Sequence, residues 1–369
     1  RDRSGIRASD GPLSPTRPAG ISELKDRAAA ADDLVKALEQ DRQQWMAELS
    51  ARENLIGELE QALDSQNQTI RLLESKVLQT PRPPVRSPQT GPQTWGHWGR
   101  QFSTSEMSTL INQCVEMGVS TFDHADIYGG YTTEAEFGKA FKNSGLQREN
   151  LQFISKCGIQ YPTERRPVGI KHYEYGSDYM IHSAIASLEN LKTEYLDLLL
   201  LHRPSPLMDP EEVAAAFSAL RDSGKVRSFG VSNFTPSQIA LIESAVPVEA
   251  HQFECSLTED TSLWNGILDD CIINGRTAMS WSPLGSYFRE QNEQNSRISQ
   301  SLESLCDKYQ VTESQLLVAW LLHHPARIHP VVGTTRSARL KESMEALDLE
   351  LELQDWFVML EASHGKEVP

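Results

Sequence analysis

The 369-residue chain has no run of eighteen apolar residues, so no membrane span is expected. Cysteine is sparse and scattered: Cys114, Cys157, Cys255, Cys271 and Cys306 include no CxxC pair. That argues against a disulfide frame or a zinc site and reads as reduced thiols in a cytoplasmic setting. Basic residues are outnumbered, 35 Lys and Arg against 51 Asp and Glu, for a net charge of −16. A general nucleic-acid or anionic-membrane binder needs a basic surface, so neither partner is expected, although a local basic pocket for one phosphate is not excluded. The chain opens at Arg1 without a methionine or a signal-peptide pattern, which reads as a fragment or processed product. Residues 1–20 read as disordered.

What is present falls into two unlike parts. Along residues 21–78, apolar positions recur three and four apart: Ile21, Leu24, Ala28, Ala31, Val35, Leu38, Trp45, Leu49, Ile56, Leu59, Leu63, Ile70, Leu73 and Val77. This heptad seam, broken by Arg42, Arg52 and Gln66, predicts a coiled-coil helix. At 1.5 Å per residue it would run roughly 85 Å and would need a partner helix, so a homo-oligomer through 21–77 is expected. The plainer alternative is a long single helix. Residues 79–92 are proline-rich and read as an extended linker that excludes a helix or central strand.

From residue 93 the pattern alternates. Helix-like runs at 105–118, 133–142, 178–192, 209–223, 236–245, 263–274, 297–309 and 313–323 are separated by short apolar runs at 119–125, 151–156, 195–202, 226–232, 248–254, 277–285 and 329–335. Strands this apolar are buried on both faces, and seven strand–helix units predict an α/β fold, a (β/α)8 TIM barrel over 93–369. A doubly wound open sheet is the alternative, disfavoured because no GxGxxG follows any strand.

Barrel active sites lie at the C-terminal strand ends. Within TFDHADIYGG (121–130), Asp123 ends one strand and Tyr128 follows; Lys156 and His202 end the next two. Taken singly, the lysine reads as a solvated rim charge, the histidine as a structural hydrogen-bonder, and Asp123 and Asp126 as turn caps. Together they form a set for carbonyl reduction. The ammonium is expected to lower the tyrosine pKa, the carboxylate to hold the lysine, and the histidine to orient the carbonyl.

The segments GVSTFDHADIYGG, FISKCG, YLDLLLLHRP, GKVRSFGVSNF, AHQFECSL, MSWSPLG and VVGTTRSARLKES, in this order, resemble the aldo-keto reductases. The resemblance implies NADPH-dependent reduction of an aldehyde or ketone to an alcohol, with Tyr128 as proton donor, Lys156 and Asp123 as its tuning pair, and His202 orienting the carbonyl. By position it implies that Ser232, Asn233 and Gln252 hold the nicotinamide carboxamide and that Trp281 stacks on its ring. Ser282 and Leu284 would line the pyrophosphate, and Gly333, Thr334, Arg336 and Arg339 the adenosine end. Two close arginines suit a 2′-phosphate and favour NADPH over NADH. Trp95 and Trp98 are candidate substrate-pocket walls. His172, Tyr173, Tyr175 and Tyr179 read equally as pocket wall or loop surface.

Two departures from the family pattern stand out. The opening hairpin is absent and the first strand reads as degraded or missing, its place taken by the proline-rich stretch. Ser343 stands where asparagine is common. A barrel lacking a strand would leave unpaired edges. The competing expectation is therefore a catalytically impaired barrel, assembled by its coiled coil as a binding or scaffold protein.

Overall fold

LDLLLL and VRSFGVS are buried on both faces along most of their length, as strands of a covered parallel sheet must be. The computed structural model describes residues 101–368, Gln89, Thr90, Trp95 and scattered positions between Gly20 and Arg52. Its strands, in chain order, are β1 (Gln89–Thr90), β2 (Thr121–Asp123), β3 (Gln152–Cys157), β4 (Ile159–Gln160), β5 (His172–Tyr173), β6 (Leu196–Leu201), β7 (Val226–Ser232), β8 (Ala250–Glu254), β9 (Thr277–Trp281) and β10 (His329–Val332). Eight of them close a parallel barrel in the order β1-β10-β9-β8-β7-β6-β3-β2, while β4 and β5 form a separate antiparallel hairpin above β3.

The proline-rich stretch thus contains a strand: of the two readings of the first strand, degraded or missing, the degraded one holds, while the expectation that the stretch excludes a central strand does not. Gln89 and Thr90 pair with Val331 and Val332 of β10, and Thr90 pairs with Phe122 of β2. Pro88 and Pro92 flank these two residues without interrupting them, so both N–H groups are available to the ladder. The barrel is therefore closed, by a first strand only two residues long.

Inside the barrel, Ile154, Leu198, Leu200, Ala250, Met279 and Val331 fill the centre. Gly230 of β7 is required by this packing: a Cβ there would lie 2.4 Å from the Ala250 carbonyl oxygen and 2.7 Å from Leu200. Outside it, helices such as Thr104–Glu116, Pro236–Glu243 and Glu313–Leu322 lie between the strands, each started by a capping box (Ser103 with Glu106, Thr235 with Gln238, Thr312 with Gln315). Trp95 is corrected from pocket wall to core. It is wholly buried against Phe102, Phe122 and Phe137, and an indole with no exposed surface cannot line a substrate site. Trp98 lies outside the described residues.

By internal contacts the chain divides into Arg1–Pro84 and Val85–Pro369, which groups β1 with the barrel. In the first unit the described residues from Lys25 to Met46 are helical, and the seam positions Val35, Leu38 and Trp45 are 52, 59 and 65% exposed. Most of the heptad segment, and residues 1–19, lie outside the described residues. Among the described residues no helix is long and apolar enough to cross a membrane.

Candidate active site

Asp123 is the last residue of β2, Lys156 lies near the end of β3, and His202 follows β6 directly. Parallel pairing of β2 with β3 and of β3 with β6 brings these ends to one rim. Tyr128 joins them through a tight turn in which its N–H donates to the Ala125 carbonyl (3.1 Å). The turn needs the two glycines that follow. Gly129 and Gly130 have φ of 62° and 65°, and a Cβ on Gly129 would meet Thr133 Oγ1 at 2.4 Å.

The ammonium of Lys156 is completely buried. It donates to Asp123 Oδ2 (2.7 Å), the His124 carbonyl (2.8 Å) and the phenol oxygen of Tyr128 (3.1 Å). Burial works against its charge, yet Asp123 and the Tyr128 oxygen outweigh burial and leave its pKa above the ordinary value. The tyrosine departs from expectation. Burial raises the Tyr128 pKa more than Lys156 lowers it, so the net shift is upward and the phenol keeps its proton. The His202 ring packs edge-on against Tyr128, centroids 5.9 Å apart. Burial first, then the charges of Lys156, Arg203 and Lys171, hold its pKa well below 6.5, so the imidazole is neutral. The arrangement offers one protonated phenol, held by an ammonium, and one neutral imidazole at a single mouth.

Several expected cofactor residues adjoin this set. Asn233, just past β7, donates to Ser232 Oγ (2.7 Å) and to the His202 carbonyl (3.4 Å), and accepts from the Trp281 indole N–H (2.9 Å). Asn233 and Ser282 both adopt left-handed backbone, φ 64° and 51°, a strained state for non-glycine residues that recurs at functional sites. Gln252 has a partner that sequence reading did not supply: its amide N–H donates to Asp123 Oδ1 (3.1 Å). That contact ties the middle of β8 to the Lys156 cluster.

Beyond Trp281 a cavity of about 850 Å³ opens between Ser282–Gly285 and Val331–Arg339. Ser282, Leu284, Gly333, Thr334, Arg336, Arg339 and Ser343 all line it. The side chains of Arg336 and Arg339 have no hydrogen bond or ion pair among the described residues, so two cations stand ready for an anionic ligand. The buried Trp95 indole N–H donates to the Thr334 carbonyl (3.1 Å) and so pins one wall of this cavity to the core. The donor set and the space suit a dinucleotide phosphate running from Trp281 to the arginines.

The segment after β3 resolves the open reading of its aromatic residues. Tyr175 is buried, and its hydroxyl donates to the Arg203 carbonyl (2.5 Å) while accepting from the Arg203 N–H (3.1 Å). Tyr179 bonds Arg166, which also meets the buried Asp126. His172 is exposed and Tyr173 half-buried. No cluster of three or more potential metal ligands occurs among the described residues.

Residues 90–361 match the aldo/keto reductase family. The chain is 41% identical over 274 residues to an uncharacterized oxidoreductase, YcsN, of Bacillus subtilis, a match covering 73% of this chain and 91% of that protein. It is 36% identical over 269 residues to a 6-dehydroglucose reductase of Agrobacterium fabrum, covering 72% and 90%. Among solved structures, the thermostable aldo-keto reductase Tm1743, in complex with the inhibitor epalrestat, superposes with a TM-score of 0.63 at 28% identity, covering 74% of this chain and 94% of that one.

Proposed function

The chain belongs to the aldo/keto reductase family and is an oxidoreductase, and from that premise we propose that it reduces an aldehyde or ketone to an alcohol with NADPH, Tyr128 giving the proton. The observation that carries this reading is the buried ammonium of Lys156, bonded at once to Asp123 and to the phenol oxygen of Tyr128.

NADPH supplies the hydride when bound. Ser232, Asn233, Gln252 and Trp281 would hold its nicotinamide, and Ser282, Leu284, Gly333, Thr334, Arg336 and Arg339 the rest. The preference for NADPH over NADH is supported by two guanidinium groups in the cavity that have no hydrogen bond or ion pair among the described residues, since guanidinium meets phosphate oxygens bidentately. The protein's own part is proton delivery. Tyr128 protonates the carbonyl oxygen as charge develops on it, and the Lys156 ammonium, 3.1 Å away, stabilises the phenolate that remains. Asp123 keeps that ammonium charged and in place. His202, neutral, is suited to donate a hydrogen bond to the same carbonyl oxygen.

The scaffold reading rested on a barrel expected to lack its first strand and on the unrelated N-terminal segment. With β1 paired on both sides, the first of these reasons no longer supports it. The exposed seam of residues 35–45 supports association of chains through the N-terminal helix as a further part of the proposal. The test of the enzymatic reading is NADPH oxidation with a reactive aromatic aldehyde, beside a fluorescence titration of NADPH binding. Turnover supports it, and binding without turnover favours the scaffold.

A further inference from the structure

Arg203 follows His202 at the end of β6, yet its guanidinium lies 5.7 Å over the ring of Trp281 at the end of β9. Two strands, β7 and β8, separate β6 from β9 in the barrel. With neighbouring strands about 4.8 Å apart, the side chain must reach across the mouth to make this contact. Its root is fixed, because the buried Tyr175 hydroxyl bonds both the carbonyl and the N–H of Arg203. Tyr175 is itself held by close approach to Gly158, where a Cβ would lie 2.2 Å from the ring. The guanidinium has no hydrogen bond or ion pair among the described residues. Glu254, the register partner of Trp281, feels the Arg203 charge but makes no ion pair with it among the described residues.

A half-buried guanidinium with five N–H donors and no hydrogen-bonded or ion-paired acid among the described residues is open to an acceptor that a ligand brings to the mouth. The Arg203 charge acts on both His202 and Tyr128, in a chain whose net charge is −16. We propose that Arg203 anchors the substrate and that the carbonyl compound reduced here carries a carboxylate, which the guanidinium receives bidentately. This rests on the reductase reading above and names its substrate class.

The test compares kcat/KM for 4-carboxybenzaldehyde with that for methyl 4-formylbenzoate, two aldehydes of similar shape that differ in charge. The wild-type ratio is expected to favour the carboxylate by about 10- to 100-fold, the range for a hydrogen bond to a charged group. Arg203→Gln should collapse that ratio towards one, and Arg203→Lys should retain part of it. A ratio is insensitive to how much variant protein folds. Equal reduction of both aldehydes by the wild type overturns the inference and leaves the reductase reading intact. A ratio unchanged in Arg203→Gln, with weaker NADPH binding, overturns it in favour of a cofactor clamp. Turnover of neither aldehyde overturns both readings.

Discussion

Lys156 Nζ lies 2.7 Å from Asp123 Oδ2, with both side chains almost wholly out of solvent. A buried ion pair of this kind tolerates loss of one partner poorly, because the other is left charged and unpaired. Lys156→Met should therefore cost about 3–5 kcal/mol of stability as well as activity. Urea denaturation checks this. The double variant Lys156→Met/Asp123→Asn should lose less than the two single changes added together, and strict additivity would show that the pair is not coupled.

The pH dependence of reduction follows from two shifts. Burial, only partly offset by Lys156, keeps the Tyr128 pKa above 10, so its proton is present throughout the neutral range. Burial, reinforced by Lys156 and Arg203, keeps the His202 pKa well below 6.5, so it stays neutral. The kcat for reduction should then be flat between about pH 6 and 9. A limb near neutrality would contradict one assignment or the other.

Glu134 is a second titration site, away from the chemistry. Its buried carboxylate accepts from Ser155 Oγ at 2.5 Å, and burial raises its pKa from 4.5 to about 7. The folded chain therefore holds this proton more tightly than the unfolded chain does. The stabilisation is complete below about pH 4.5 and is lost as pH rises through 7, a change on the order of 3 kcal/mol. Asp126, raised to about 6 by burial despite Arg166, adds in the same direction. Urea midpoints should fall between pH 5 and 8 in the wild type, and Glu134→Gln should flatten the curve.

The other seven barrel strands, with Asp123, Lys156 and His202 at or near their ends, were legible because a strand buried on both faces is written as an apolar run. The first strand was not. Gln89 and Thr90 carry no apolar signal, and their pairing is decided by Val331, Val332 and Phe122, all distant in sequence. Trp95 was misplaced because an aromatic at a strand end reads alike whether it faces a ligand or a core. The sign of the Tyr128 shift depends on burial, which pairwise charge reasoning does not contain. Arg203 stands within the YLDLLLLHRP segment, but nothing in that pattern marks it, since what distinguishes it is its reach across the mouth to Trp281.

The length of the N-terminal cut decides two different outcomes. Removing residues 1–84 takes away the heptad segment and keeps β1, and should leave an active monomeric barrel. Removing residues 1–92 also deletes Gln89 and Thr90, takes away the strand that pairs with both β10 and β2, and should open the barrel. Sedimentation and thermal melting of the two truncations distinguish these results. An unchanged oligomer in the shorter deletion would show that the helix does not assemble the chain.

Tyr128→Phe removes one hydroxyl and leaves the ring packed against His202. Steady-state NADPH oxidation with a reactive aldehyde should fall by at least about 100-fold in this variant, the usual worth of a positioned general acid, with NADPH affinity by fluorescence titration unchanged. Wild-type and variant rates that agree within a few-fold would show that Tyr128 does not deliver the proton.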